Sequence, residues 1–492
     1  MSNMNTLKKL RVVSLSMACL LLSCTSRPHD AEKVLSEPAI YPDYIGVTVP
    51  VDIAPLNFSM ADDGVTTVDV EVKGSQGGSL HVNGAYADFG IDEWHDLLRR
   101  NQGGKLSFSV CAEKEGKWMQ YNTFDIFISK YPLGEWGITY RRVAPGYQMY
   151  GRMGIYQREL ATFEEKVILD NKFLDGGCVN CHTVNRSKPD DYVFHVRSEH
   201  GATVVGRQGK TDFLASVNDS LGGAMVYPYW HPNGRYIAFS TNKTSQLFHS
   251  GKNKRIEVFD GQSDVFIYDT ETHETLRDTL IMKKYWAENC PAFSADGKWL
   301  YFTTARRQSY PQNYDLEKYS LCRVSFDEKN GKLGQQVDTL VNASKTGKSV
   351  TWPRPSYDGR YVMFTQLDYG YFSIWHPEAD LWLLDLQTGE TRPLEEVNSD
   401  SAESLHNWSS NSRWFFFTSR RDDGLYTQIY FSSLDEHGKA TKPFLLPQQN
   451  PHRYYQRTLY SFNTPDFVST PVATESKDIV KSLRNEKRVS TR

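Results

Sequence analysis

Four stretches of this chain, Trp230–Ser240, Pro291–Thr303, Pro353–Thr365 and Trp408–Thr418, repeat one pattern. Each has a turn pair (Asn233-Gly234, Asp296-Gly297, Asp358-Gly359, Asn411-Ser412), then a basic residue, then an alternating aromatic strand. Asn-Gly and Asp-Gly pairs favour tight turns because both residue types tolerate positive φ. The matched phenylalanines Phe239, Phe302, Phe364 and Phe417 recur at intervals of 63, 62 and 53 residues. Further alternating runs follow within the repeats, as in Asp264–Leu280 and Ala379–Leu394, and complete four-stranded units. A four-stranded sheet that cannot bury its faces alone, repeated every fifty to sixty residues, is expected to pack as the blades of a β-propeller. The blades are expected to run over residues 192–470 and to number five or six.

The 492-residue chain is polar enough overall, with 39% hydrophobic residues, to exclude a polytopic membrane protein. Lys+Arg 56 against Asp+Glu 59 leaves no basic field for nucleic acid. Seven cysteines at irregular spacing do not make a disulfide framework. Cys111, Cys290 and Cys322 are expected to be small buried hydrophobes.

Residues 1–23 read as an export signal: Lys8, Lys9 and Arg11 precede an apolar run, Val12 to Leu22, too short to span a bilayer. The run ends in Leu21-Leu22-Ser23-Cys24, which resembles a bacterial lipobox. That resemblance implies lipidation at Cys24 and a protein held on the cell envelope, outer membrane favoured, by its acyl chains. Residues 24–40 are expected to be a polar tether. Residues 41–130 alternate as half-buried strands, for example Thr66–Val72 and Leu106–Cys111, and fit an immunoglobulin-like β-sandwich. Trp94 and His95, in a helical turn, could line a ligand surface or simply pack under a loop.

A connector, residues 131–191, follows, with a capping-box pattern Thr162-Phe163-Glu164-Glu165 that predicts a short helix. It carries Cys178-Val179-Asn180-Cys181-His182, the Cys-x-x-Cys-His pattern of covalent c-type haem attachment. In that chemistry two thiols add to the haem vinyl groups and the adjacent imidazole ligates iron. Random placement of seven Cys and thirteen His would produce the pattern roughly 0.003 times per chain. A redox dithiol would call for a thioredoxin-like βαβ context, and a zinc site for a second ligand pair. The sequence shows neither. For the sixth iron position the candidates are His195, His200, Met149, Met153 and Met225. His195 is preferred because a histidine inside the apolar strand Tyr192–Arg197 needs a partner. His231, His376 and His406 stand at different places in their repeats and are not expected to share a metal site. Residues 471–492 are basic and unpatterned, hence expected to be disordered.

Ser294-Ala295-Asp296-Gly297-Lys298 and Ser356-Tyr357-Asp358-Gly359-Arg360 are similar to the Ser-Pro-Asp-Gly-Lys/Arg turn of TolB-like propeller repeats. The resemblance favours six blades and implies protein docking at the propeller faces. His231 replaces the serine in one unit and Ser412 the glycine in another. As a whole the chain resembles exported haem-motif propeller lipoproteins of Bacteroidetes-type bacteria. The function expected from these features is that of a membrane-anchored monohaem c-type cytochrome. It would carry one haem c and transfer electrons with a redox or envelope protein partner docked on the propeller. Two alternatives stand beside it: an envelope binding or scaffold lipoprotein, and a haem enzyme or sensor with an open sixth position.

Overall fold

The computed structural model describes residues 28, 30–144, 151–215, 223–250 and 254–491. It is mainly β and propeller-like: six four-stranded antiparallel sheets follow one another around an axis. Blade one is built from Cys178–Asn185, Lys188–Arg197, Ala202–Arg207 and Lys210–Ala215, and blade two from four strands between Met225 and Leu276. Blades three, four and five begin with the inner strands Trp286–Phe293, Ser349–Pro355 and Glu403–Trp408. Blade six is shared between the two ends of the propeller segment. Gly137–Val143, Met153–Glu159 and Glu165–Asp170 supply its outer three strands, and Ser461–Val468 its inner one. Each inner strand contacts the next, and Ser461–Val468 contacts Cys178–Asn185, so the ring closes. Each inner strand is the edge of its own sheet, and closure of the ring leaves these short edges facing the axis, where they are protected.

The repeated turns explain why the blades recur. In blade three the Ser294 hydroxyl donates to Asp296 (2.7 Å) and accepts from Trp299 N (3.0 Å), while Asp296 accepts from Lys298 N (3.1 Å). Ser356/Asp358 and Ser409/Asn411 repeat this arrangement. Where His231 stands for the serine, its Nδ1 accepts from Asn233 N (3.2 Å). Ser412, in the glycine position, adopts φ 59° and accepts from Asp358 N of the neighbouring blade (2.9 Å).

Three expectations are corrected. Among its described residues the connector is stranded apart from the single 3-10 turn Asn171–Leu174: Glu165–Asp170 pairs with Met153–Glu159, with Ile168, Leu169 and Asp170 buried in that ladder. Val167 stays exposed, so Phe163, Val167 and Leu174 form no common helical face. The Thr162 hydroxyl, expected to cap a helix, instead donates to Glu159 (2.7 Å). The haem motif therefore lies on the first strand of a blade and not on a helical connector. The tail is ordered through the helix Ser476–Asn485, whose Ile479 and Leu483 are buried against Ile155, Ile168, Val179 and Phe194.

The N-terminal region holds a seven-stranded sheet, a two-stranded ribbon and the helix Ile91–Arg100. Alternation places Val68, Val70 and Val72 and, on the neighbouring strand, Leu106, Phe108 and Val110 in its core with Trp94. That core is continuous with Trp414, Phe416, Phe431 and Phe467 of blades five and six. Asn411 Nδ2 donates to Pro132 O (2.9 Å) and Glu135 accepts from Ser410 N (2.7 Å) across the same junction.

Candidate functional site

All six inner strands carry a two-residue bulge at the same place in their ladders. The first bulge residue has left-handed backbone: Cys181 (φ 54°), Tyr227 (50°), Cys290 (49°), Trp352 (53°), Leu405 (50°) and Thr464 (44°). This conformation costs a non-glycine residue roughly 1–2 kcal/mol, so its six-fold recurrence marks it as part of the architecture. The second bulge residue is proline in four blades (Pro228, Pro291, Pro353, Pro465) and histidine in two, His182 and His406. One place further on, Thr183, Tyr229, Ala292, Arg354, Asn407 and Asp466 resume the ladder.

The Cys-x-x-Cys-His motif occupies this frame in blade one. Cys178 and Cys181 are buried free thiols, and His182 is buried beside them in the chain. Arg141 ties the start of the strand to blade six: its Nε donates to Val179 O (2.7 Å). Its Nη2 lies 3.2 Å from Met153 Sδ and 3.6 Å from Cys178 Sγ. Burial raises the Cys181 thiol pKa and lowers that of His182 to about 4, so the imidazole is neutral at physiological pH. A neutral imidazole is the form that binds iron. Neither His182 nitrogen has a hydrogen bond of good geometry, although the backbone of Thr139 bears on the ring.

His182 borders two cavities of about 40 Å³ each. One is an apolar seam between blades six and one, lined by Ile155, Ile168, Val184, Phe194, Val472 and Ile479. The other is axial and includes Cys181, Tyr229, Arg354, His406 and Asp466. The donor set fits a c-type haem: two unpaired thiols in attachment spacing and an orphaned buried imidazole. The space does not yet match it, because a tetrapyrrole is many times larger than either cavity. Holding one requires the seam to be wider than in this structure.

The structure does not bring His195 to His182. His195 pairs across the ladder with Asn180 and Thr203, and shares a face with Val193. His182 shares its cavity with Phe194, whose ring packs toward blade six. His195 is not among the residues that line either cavity beside His182. The partner that a buried histidine needs is Thr203: His195 Nδ1 lies 2.8 Å from its Oγ1, and burial lowers the His195 pKa to about 3. Of the other candidates, Met153 is beside the Cys178 end, Met225 packs in the core between blades one and two, and Met149 lies outside the described residues. The C=O of His200 accepts from Arg488 Nη2 (2.8 Å). Cys24 also lies outside the described residues.

The remaining histidines do not converge. His231 Nε2 meets Gly297 O (3.0 Å), and His376 sits between Glu257 (3.2 Å) and Glu378 (2.9 Å). Among the described residues no three His, Cys, Asp or Glu side chains are grouped to hold a metal ion. Arg354, which sequence reasoning missed, and His406, which it named only as a histidine not expected to share a metal site, line the axial cavity with His182. In the alignment on the turns His406 already stands five residues before Asn411, in the column that Pro228, Pro291 and Pro353 hold before Asn233, Asp296 and Asp358.

No family model matches the chain, and no curated protein matches it. Among solved structures it is similar to prolyl oligopeptidase B from Galerina marginata (13% identity, TM-score 0.35, 63% of this chain and 44% of that one). It is also similar to a puromycin-hydrolyzing peptidase of Mycobacterium tuberculosis (10%, 0.35, 70% and 52%). A third is an oligogalacturonate lyase in complex with manganese (13%, 0.29, 84% and 98%). The chain spans about half the length of the two peptidases.

Proposed function

We propose that this chain is an exported, lipid-anchored envelope protein that carries one haem c on Cys178 and Cys181, with His182 as an axial ligand, and exchanges electrons with a docked partner. The observation that carries the reading is the state of the three side chains. Both thiols are free, and the imidazole, neutral and buried, has no hydrogen bond of good geometry. The haem, when bound, supplies one-electron redox chemistry. The chain's own part is to hold the attachment residues on a strand fixed on both sides. Arg141 anchors the backbone at Val179, and Asp466 accepts from Thr183 Oγ1 (2.8 Å) and Val184 N (2.9 Å). The apolar seam beside His182 keeps water from the imidazole. TolB-like blades and an immunoglobulin-like N-terminal module belong to the same reading, on the Ser-x-Asp-Gly turns and the period-two strands. Export and anchoring rest on the signal-like start and Cys24. Among the described residues no helix is long and apolar enough to cross a membrane.

One observation favours a second reading, a binding scaffold without haem. Asn180-Cys181 recurs as Asn289-Cys290 at the same bulge, and the His182 position is filled by His406 in blade five. Two of the three motif residues therefore have counterparts in blades that lack the motif. The two readings separate on a denaturing gel. The full precursor, made in a strain with cytochrome c maturation, should retain haem peroxidase activity that a Cys178→Ala/Cys181→Ala double variant lacks. Folded, lipidated protein with no in-gel haem would leave the scaffold.

A further inference from the structure

The axial cavity has a hydrogen-bonding imbalance. Its carboxylate, Asp466, is satisfied: one oxygen accepts from Thr183 Oγ1 and Val184 N, and the other from Asn407 Nδ2 (2.8 Å). Its cation is not. Arg354, two places after the blade-four bulge, donates Nη1 to Pro353 O (3.0 Å) and forms no ion pair among the described residues. The guanidinium stands 5.2 Å from the Tyr229 ring and 5.9 Å from that of Trp352. The small side chain of Ala292 separates Arg354 from Tyr229 in the ring. Trp352 Nε1 and Thr464 Oγ1 are buried with no hydrogen-bond partner, and both residues line the same cavity. An indole N–H can only donate, as can a guanidinium. The cavity thus holds spare donors on Arg354, Trp352 and Thr464, together with the Asp466 carboxylate, whose charge Arg354 stabilises, and the unpartnered imidazoles of His182 and His406. An apolar occupant would leave these groups unsatisfied, and a cation would meet Arg354.

We propose that the axial cavity is a binding site for a small carboxylate anion, with Arg354 as its fork-like donor and Trp352 and Thr464 completing the donor set. The planar guanidinium matches a carboxylate through two parallel hydrogen bonds. The volume of about 40 Å³ admits a head group of formate or acetate size. His406 closes the side of the cavity and, with its pKa lowered to about 3 by burial, brings no positive charge of its own at neutral pH. Cys181 and His182 also line this cavity, so the site is assigned to the chain without haem.

The test is equilibrium dialysis of radiolabelled acetate against the full mature chain, made without a maturation system and held at constant ionic strength with chloride. Saturable uptake of one acetate per chain is expected. Arg354→Gln should weaken it at least about tenfold. Thr464→Val, which leaves the cation in place, should weaken it about threefold. Arg453→Gln, far from the axis, should leave it unchanged. If Arg354→Gln does not fold, Arg354→Lys, which keeps the charge and loses the fork, should still bind more weakly than the parent. Parent-like affinity in both the Arg354 and Thr464 variants overturns the proposal. So does the absence of saturable uptake up to about 10 mM acetate.

Discussion

Cys181 and Cys290 hold the same position in blades one and three: each opens the inner-strand bulge, each has left-handed backbone (φ 54° and 49°), and each follows an asparagine. One of the two belongs to the Cys-x-x-Cys-His motif and the other does not. The bulge fixes the backbone there but accepts Tyr227, Trp352 and Leu405 in other blades, so it does not by itself select cysteine, and the presence of Cys178 and His182 with Cys181 is what the haem reading has to explain.

The bulge makes a stability prediction that needs no cofactor. Cys290→Val places a β-branched side chain in left-handed backbone and should lower stability by about 1–2 kcal/mol in urea unfolding. Cys322→Val, in an ordinary buried strand position, should cost less. Equal costs at the two sites would mean that the bulge is not a conformational constraint.

Two buried groups should pull the pH dependence of stability in opposite directions. Burial raises the Glu288 pKa to about 7, so between roughly pH 4.5 and 7 the folded chain holds a proton that the unfolded chain has lost. That contribution is full below pH 4.5 and is lost as pH rises. His406, with its pKa lowered to about 3, does the reverse: below pH 6.5 the unfolded imidazole takes a proton that the folded one refuses, so stability falls with falling pH. Glu288→Gln should therefore flatten the loss on the alkaline side and His406→Gln the loss on the acid side. Each change should amount to about 1–3 kcal/mol over the window. Urea midpoints at pH 5 and pH 8 decide the signs, and an unchanged slope in either variant contradicts the corresponding assignment.

The shared core predicts that the N-terminal region and the propeller unfold together. Trp414 is fully buried in that core and donates its Nε1 to Tyr131 O (3.2 Å). Trp414→Ala should cost about 3–5 kcal/mol and shift a single calorimetric transition to lower temperature. Two separated transitions in the parent protein would show that the core does not couple the parts.

The C-terminal helix should act as a clamp over the seam beside His182. Leu483→Ala removes a fully buried anchor and should cost the helix about 2–3 kcal/mol of docking. Hydrogen exchange should then rise in Ser476–Asn485 and along Cys178–Asn185. A rise confined to the helix would mean that it does not hold the seam.

The blades were legible where the turn chemistry is local. Ser294, Asp296 and Gly297 bond within a few residues, so the same letters recur with the same geometry. Blade six was legible only in its closing strand, within Tyr454–Phe467; its other three strands come from the far end of the propeller segment, and only the pairing of Gly137–Val143 with Ser461–Val468 reveals them. Blade one was half legible: its turn, Arg186-Ser187, reaches positive φ without a glycine. The motif spacing was readable, but its strand context was not. Cys181 and His182 fall in slots that Cys290 and His406 fill in other blades, so the three motif positions are not independent of the repeat. His195 drew notice correctly as a buried histidine, and the missing information was which face of the sheet it occupies.

The most direct test is the pyridine haemochrome spectrum of the folded, full-length protein purified from a maturation-competent strain, with haem counted against chain. One haem per chain, with the band of two saturated vinyl positions and resistant to acid extraction, is the expected result. A folded, correctly exported chain that yields no haem contradicts the assignment of Cys178, Cys181 and His182.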